Sequence, residues 1–343
     1  MQRREFLKLG AAAAVAQPLA ARAWAAAARG RRILYVAGGV SPALVERLGP
    51  SGFDVAILAF LYARWRKGRL ELRYNGLPAR ALPPRLGPEL RRLRRGFAAR
   101  KRVMISLGGW GNSATFAAIR SAGVERFLEQ FNREFVEPLG LEGIDLDLEP
   151  STVAENTPAG WRAVHEEYGA TLVALTNGYK ARHPDHDVTH APIASVAARF
   201  YARDGGLRGV RGSFFEAART ARGNNLSWLN VQFYEAGDPK FGLDAGARPA
   251  TIPEFYRSEL LEPMWRGRTA TGVARPWERL IPGFEPRYRQ TLAFCEQTLR
   301  QVNRGAAALA GAGAKAGGVF LWDYQQIAAH LPAWSAGLGR ALG

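Results

Sequence analysis

Asp145, Asp147 and Glu149 stand at i, i+2 and i+4 in the run LEGIDLDLEP, residues 141 to 150, with Ile144, Leu146 and Leu148 between them. On a β-strand that spacing puts three carboxyl groups on one face and three apolar side chains on the other. Gathering three acids on one face costs desolvation and like-charge repulsion unless some of them stay protonated or share protons. A solvated edge strand would be expected to carry charges of both signs. This one carries only acids, and it ends at Pro150, which cannot donate to a strand ladder. The arrangement points to proton-transfer chemistry at the end of a strand.

The elements that must hold such a strand recur along the chain. Apolar runs bounded by turn residues lie at Ile33 to Ala37, Val55 to Leu61, Val103 to Leu107, Gly143 to Leu148, Val188 to Pro192, Leu229 to Tyr234, Leu280 to Phe284 and Gly318 to Trp322. Stretches with helical spacing separate most of them, among them Phe116 to Phe135, Trp161 to Arg182 and Tyr288 to Leu309. Strands alternating with helices imply parallel pairing under a helical cover. Eight repeats favour an α/β fold of the closed (β/α)8 TIM-barrel type over an open doubly wound sheet. In such barrels chemistry sits at the C-terminal strand ends, where Glu149, Tyr234 and Trp322 would stand. The longest irregular stretch, Glu235 to Arg279 with Trp265 and Trp277, could shape one side of a groove there.

Four segments carry a resemblance. The acidic run resembles the Asp-Gly-x-Asp-x-Asp-x-Glu signature of glycoside hydrolase family 18, the chitinases and their relatives. VMISLGGWG, Val103 to Gly111, looks like that family's Ser-x-Gly-Gly strand. NVQFY, Asn230 to Tyr234, looks like its tyrosine-bearing sixth strand, and GGVFLW, Gly317 to Trp322, looks like its last strand with a sugar-stacking tryptophan. All four occur in the family's order. One position departs: Glu142 stands where the signature has its first Asp, a change expected to affect how the strand is anchored and not the inward-facing acids. Glu285 to Ala316 is almost filled by one helix, which leaves no room for the small α+β domain that many members insert there. The chain therefore looks more like the compact plant-type and related bacterial chitinases.

The resemblance implies a secreted, endo-acting hydrolase of β-1,4-linked N-acetylglucosamine polymers that works with retention, the 2-acetamido oxygen of the substrate being the nucleophile. Glu149 would be the general acid and then the base. Asp147 would hydrogen-bond Glu149 and the acetamide N–H, and Asp145, deepest in the barrel, would share a proton with Asp147. Tyr234 would hold the acetamide oxygen. Trp322 would stack a sugar ring, and Gln232, Gly108, Gly109, Trp110 and Phe60 complete the expected substrate-binding set, with Ser106 and the two glycines keeping the third strand slim beside the acids. The alternatives are a non-catalytic glycan-binding relative, or an endo-β-N-acetylglucosaminidase acting on peptidoglycan or N-glycans. No cofactor and no metal are expected: His183, His186 and His190 beside Asp185 and Asp187 lack zinc spacing and read as a polar loop entering the fifth strand. Gly38 and Gly39 alone make no phosphate loop.

The first 25 residues read as a twin-arginine export signal: Arg3, Arg4, Phe6, Leu7 and Lys8, then an alanine-rich run from Leu9 to Ala16 and small-residue sites ending at Ala23 and Ala25. That run is too short to span a bilayer, so stable membrane insertion is not expected. Residues 26–343, about 318 residues, suit one catalytic domain. The expected location is periplasmic or extracellular, the expected state a monomer, and the export machinery a transient partner. One cysteine, Cys295, excludes an internal disulfide framework. Net charge is +17, and falls to +14 without residues 1–25, which hold four basic residues and one acid. Such a balance suits anionic partners, although the densest run, Arg91 to Arg95, reads as the solvated face of a helix whose apolar side holds Leu90, Leu93 and Phe97. No nucleic-acid motif accompanies it, and no nucleic-acid partner is expected.

Overall fold

Each of the eight apolar runs forms a strand in the computed structural model, which describes residues 30–38, 41–82, 84, 86–95, 101–234, 251–288 and 290–343. The strands are β1 (Arg31–Val36), β2 (Val55–Arg66), β3 (Arg102–Gly108), β4 (Gly143–Asp147), β5 (Asp187–His190), β6 (Trp228–Gln232), β7 (Leu280–Phe284) and β8 (Gly318–Leu321). Neighbours pair in parallel all the way round, and β8 returns to β1 with Gly318 opposite Arg31. Closure removes the free edges. The architecture is the expected (β/α)8 barrel. Residues 1–25, where a leader is expected, and Gly39, Phe97 and residues 235–250 lie outside the described residues.

Alternation along the strands separates two apolar volumes. Ile33, Val55, Ile57, Met104, Trp228, Ile281 and Phe320 point inward and fill the barrel. Leu34, Leu58, Ile105, Leu146, Val188, Leu229 and Leu321 point outward into the layer beneath the helices. The helices that cover this layer carry their own start signals. Thr157 accepts from the Gly160 N–H to open helix Pro158–Arg182, with proline in its first turn, and Thr291 accepts from the Phe294 N–H to open helix Leu292–Ala310. Between β7 and β8 that second helix and one short turn at Pro286–Tyr288 fill the connection, as the sequence implied.

Four expectations are corrected. The helical stretch from Phe116 to Phe135 is divided: helix Ala114–Ala122 stops at Gly123, whose φ of 89° breaks the helix, and a new one runs Val124–Phe131. The second strand does not stop at Leu61 but continues to Arg66 and folds back as the antiparallel strand Arg69–Tyr74. The stretch before β7 is largely helical from Ile252 to Thr271. Its Trp277 accepts, through its carbonyl, from the N–H of Gly317 just before β8, and Trp265 packs on Trp277 at 5.4 Å. Both tryptophans therefore sit at the N-terminal end of the barrel, away from the face on which Glu149 opens. His190 is a buried strand residue and not part of an entry loop. Thr176 gives its own proton to Leu172 O, so His190 Nε2–H donates to Thr176 at 2.8 Å and Nδ1 accepts from Tyr201.

The departure at Glu142 has a counterpart. Its carboxylate, 6% exposed, pairs with Arg94 Nε at 3.2 Å and ties helix Leu86–Arg95 to the start of β4. Leu90 and Leu93 of that helix are buried as expected. Among the described residues no helix is long and apolar enough to cross a membrane, and no group of three His, Cys, Asp or Glu is placed to hold a metal.

Candidate active site

Parallel register builds the site in layers. Ser106 of β3, Asp145 of β4 and Thr189 of β5 lie side by side, and Gly108 and Asp147 lie one layer closer to the C-terminal mouth. In the lower layer Asp145, wholly buried, accepts four hydrogen bonds. Thr189 at 2.6 Å and the Asn230 amide at 3.1 Å reach Oδ1; Ser106 at 2.7 Å and the Tyr35 hydroxyl at 2.9 Å reach Oδ2. Asn230 also donates to Tyr35 at 3.0 Å and accepts from the Trp228 indole N–H at 3.0 Å, which fixes the orientation of its amide. Four donors suit a carboxylate and leave no lone pair for a proton.

The layer above is different. Asp147 is 3% exposed, takes one N–H from Gln232 at 3.2 Å, and hydrogen-bonds Glu149. Burial raises Asp147 well above the ordinary carboxyl range, and the charges of Glu149 and Asp145 push the same way. Burial also raises Asp145, but its hydrogen bonds from Thr189, Ser106, Tyr35 and Asn230 pull it back. The Asp147–Glu149 pair is therefore the place in this cluster where a proton is favoured. The expected sharing between Asp145 and Asp147 is corrected, since the four donors already occupy Asp145.

The glycines of β3 are required by close approach. A Cβ on Gly108, at φ 105°, would meet the Asp147 carbonyl at 2.3 Å; one on Gly109, at φ 82°, would meet the Phe60 ring at 2.6 Å. Glu149, 9% exposed, follows β4 at the end of the barrel where an aromatic cluster also lies. There Phe60 stacks on Trp322 at 5.3 Å with 26° between the rings, Trp322 meets Tyr35 edge-on at 5.7 Å, and Tyr234 meets Phe320 edge-on at 6.1 Å. Trp322 is partly exposed and Trp110, on the loop after β3, is 40% exposed. Gln232 is buried and spends its amide N–H groups on Asp147 and the Ala191 carbonyl, so within the protein it steadies Asp147.

All ten residues expected at the site belong to β2, β3, β4, β6 and β8 or the residues just after them, and they converge at one end of the barrel. Tyr35, Thr189, Asn230 and Tyr62 were missed. Thr189 and Asn230 are polar residues inside apolar strand runs at inward-facing positions, a signal that was available. Two other carboxyl groups follow strands on this face, and both are engaged: Glu285 pairs with Arg287 at 2.9 Å, and Asp323 caps helix Tyr324–Ile327 by accepting from the Gln325 N–H. Among the described residues, then, Asp145, Asp147 and Glu149 all come from one strand or its end.

The sequence model described as Glycosyl hydrolases family 18 matches residues 26–254. No curated protein matches the chain significantly in sequence. Solved structures of the same fold include a family 18 chitinase from Pseudoalteromonas aurantia, with 20% identity, 91% of this chain and 100% of that one covered, and a TM-score of 0.60. A fungal endo-β-N-acetylglucosaminidase of family 18 has 18% identity, 91% and 98% coverage and a TM-score of 0.52. The catalytic domain of a hyperthermophilic chitinase from Pyrococcus furiosus has 14% identity, 92% and 96% coverage and a TM-score of 0.52.

Proposed function

The chain belongs to glycosyl hydrolases family 18 and is a glycoside hydrolase, and from that premise we propose that it cuts β-1,4-linked N-acetylglucosamine polymers within the chain, with retention, the 2-acetamido oxygen of the substrate serving as nucleophile. The observation that carries this reading is the one-strand arrangement, in which Asp147 hydrogen-bonds Glu149 while Asp145 is held by four donors. Two opposed carboxylates would be needed for direct attack by protein or water. One acid with an orienting neighbour suffices when the substrate brings its own nucleophile.

The proton begins on Asp147 and passes along the hydrogen bond to Glu149. Glu149 gives it to the leaving oxygen as the acetamide oxygen closes on the anomeric carbon, and Asp147, now an anion, faces the positive oxazolinium ring and accepts its N–H. Water then attacks the anomeric carbon while Glu149 takes a proton from it. Tyr234 donates its hydroxyl to the acetamide oxygen, a positioning effect. Trp322 and Phe60 form the stacking floor, Trp110 extends it, and Gly108 and Gly109 admit it. The joint presence of Glu149, Asp147 and Tyr234 favours catalysis over glycan binding alone.

The short β7 to β8 connection supports an open groove. A labelled hexamer of N-acetylglucosamine should yield mixed products from the first minutes; dimers from one end only would contradict internal cutting. We read residues 1–25 as a twin-arginine leader and 26–343 as one monomeric catalytic domain working outside the cytoplasm. Replacing Arg3 and Arg4 with Lys should leave the precursor in the cytoplasm, and unchanged processing of that variant would refute the export reading.

A further inference from the structure

Beyond Phe60, β2 leaves the barrel and pairs with Arg69–Tyr74 through a two-residue turn in which Lys67 and Gly68 both have positive φ, 48° and 74°. The register sorts its residues cleanly. Leu61 opposite Tyr74, Ala63 opposite Leu72 and Trp65 opposite Leu70 form the face turned to the protein core. The other face pairs Tyr62 with Arg73, Arg64 with Glu71, and Arg66 with Arg69. Tyr62 lies 6.4 Å from Phe60, whose ring stacks on Trp322, so this charged face continues the floor of the active site. Its one acid, Glu71, pairs with Arg73 at 3.5 Å. Among the described residues no carboxylate pairs with Arg64, Arg66 or Arg69, all of which are exposed.

Arg66 and Arg69 stand directly opposite each other, which destabilises a strand pair. A merely solvated hairpin would be more stable with opposite charges at that pair. We propose that this arginine ladder is the wall of the substrate groove and selects an anionic glycan, one whose N-acetylglucosamine units alternate with or carry carboxylates. This deepens the hydrolase reading and rests on it. A neutral polymer would gain nothing from the ladder, whereas an acidic one is drawn to it at long range and held by exposed charge pairs.

The test is co-sedimentation with purified peptidoglycan sacculi in a Glu149→Gln background, so that the polymer persists, with and without Arg64→Gln, Arg66→Gln and Arg69→Gln. With the arginines, binding should fall steeply between about 50 and about 500 mM salt as screening shortens. Without them, affinity at low salt should drop roughly tenfold and the salt dependence should flatten. Sacculi whose carboxylates have been amidated should bind like the triple variant, and sacculi stripped of phosphate polymers like untreated ones. The double variant Arg66→Gln/Arg69→Gln should melt at or above its parent, because the like-charged pair is gone while Arg64 still faces Glu71. Equal binding with and without the arginines, loss of binding on phosphate removal, or a lower melting temperature for that double variant would each overturn the proposal. Failure of the unmutated enzyme to release fragments from both a neutral N-acetylglucosamine hexamer and untreated sacculi would sink the hydrolytic reading instead, and the binding comparison would still decide this one.

Discussion

Gln232 donates its side-chain amide to Asp147 Oδ1 at 3.2 Å from β6, two strands away from the acidic strand. That bond occupies one acceptor site of the Asp147 carboxyl, and the second N–H of the same amide is held by the Ala191 carbonyl. Gln232 thus fixes the position of Asp147, which in turn hydrogen-bonds Glu149.

Glu149→Gln should cost about 10²- to 10⁴-fold in turnover while leaving sugar binding largely intact, because only proton transfer is lost. Asp147→Asn should be similarly severe through failed orientation of the acetamide. Initial rates on a chromogenic N-acetylglucosamine oligomer, set beside calorimetric binding of an uncleaved oligomer, check both. Near-normal turnover of Glu149→Gln would remove it from the acid role.

Trp322→Ala should weaken oligomer binding by roughly 1 to 3 kcal/mol, since it removes both a sugar platform and the ring on which Phe60 rests. Binding isotherms report the loss directly. An unchanged dissociation constant would mean that the ring serves packing alone.

Three histidines set the acid limit of stability. Burial lowers His165 to about 4, His186 to about 4 and His190 to about 3. A base whose folded pKa lies below its unfolded value contributes stability that is complete above the unfolded pKa, near 6.5, and lost as pH falls toward the folded one. The histidine share of stability should therefore be constant above about pH 6.5 and decline below it, with His165 and His190 each costing about 2 kcal/mol by about pH 4.5, a decline read as the difference in urea midpoint between parent and histidine variant at each pH. His190→Gln, which can keep bonds to Thr176 and Tyr201, should show a shallower decline; an identical slope would discount His190.

What could be read from the sequence was local. The period-two spacing of Asp145, Asp147 and Glu149 is written in five residues, and eight apolar runs suffice to suggest a closed barrel. The bonds from Tyr35 and Asn230 to Asp145 span 110 and 85 residues and depend on register around the whole barrel. The β2 hairpin was hidden because its apolar face is supplied half by Leu61, Ala63 and Trp65 and half by the partner residues Leu70, Leu72 and Tyr74. Trp265 and Trp277 were given to the wrong end because the length of a connection says nothing about which rim its residues reach. His190 looked polar in isolation and is satisfied by Thr176 and Tyr201, neither of which is adjacent in sequence.

The central claim, that the substrate's acetamido group attacks, is tested most directly by the configuration of fresh product. Proton NMR of an N-acetylglucosamine oligomer during the first minutes of hydrolysis should show the β anomer accumulating ahead of mutarotation, with no cleavage of a fully deacetylated oligomer that carries no such nucleophile. Accumulation of the α anomer, or robust cleavage of the deacetylated chain, would mean that water or a protein carboxylate acts directly, and would contradict the account.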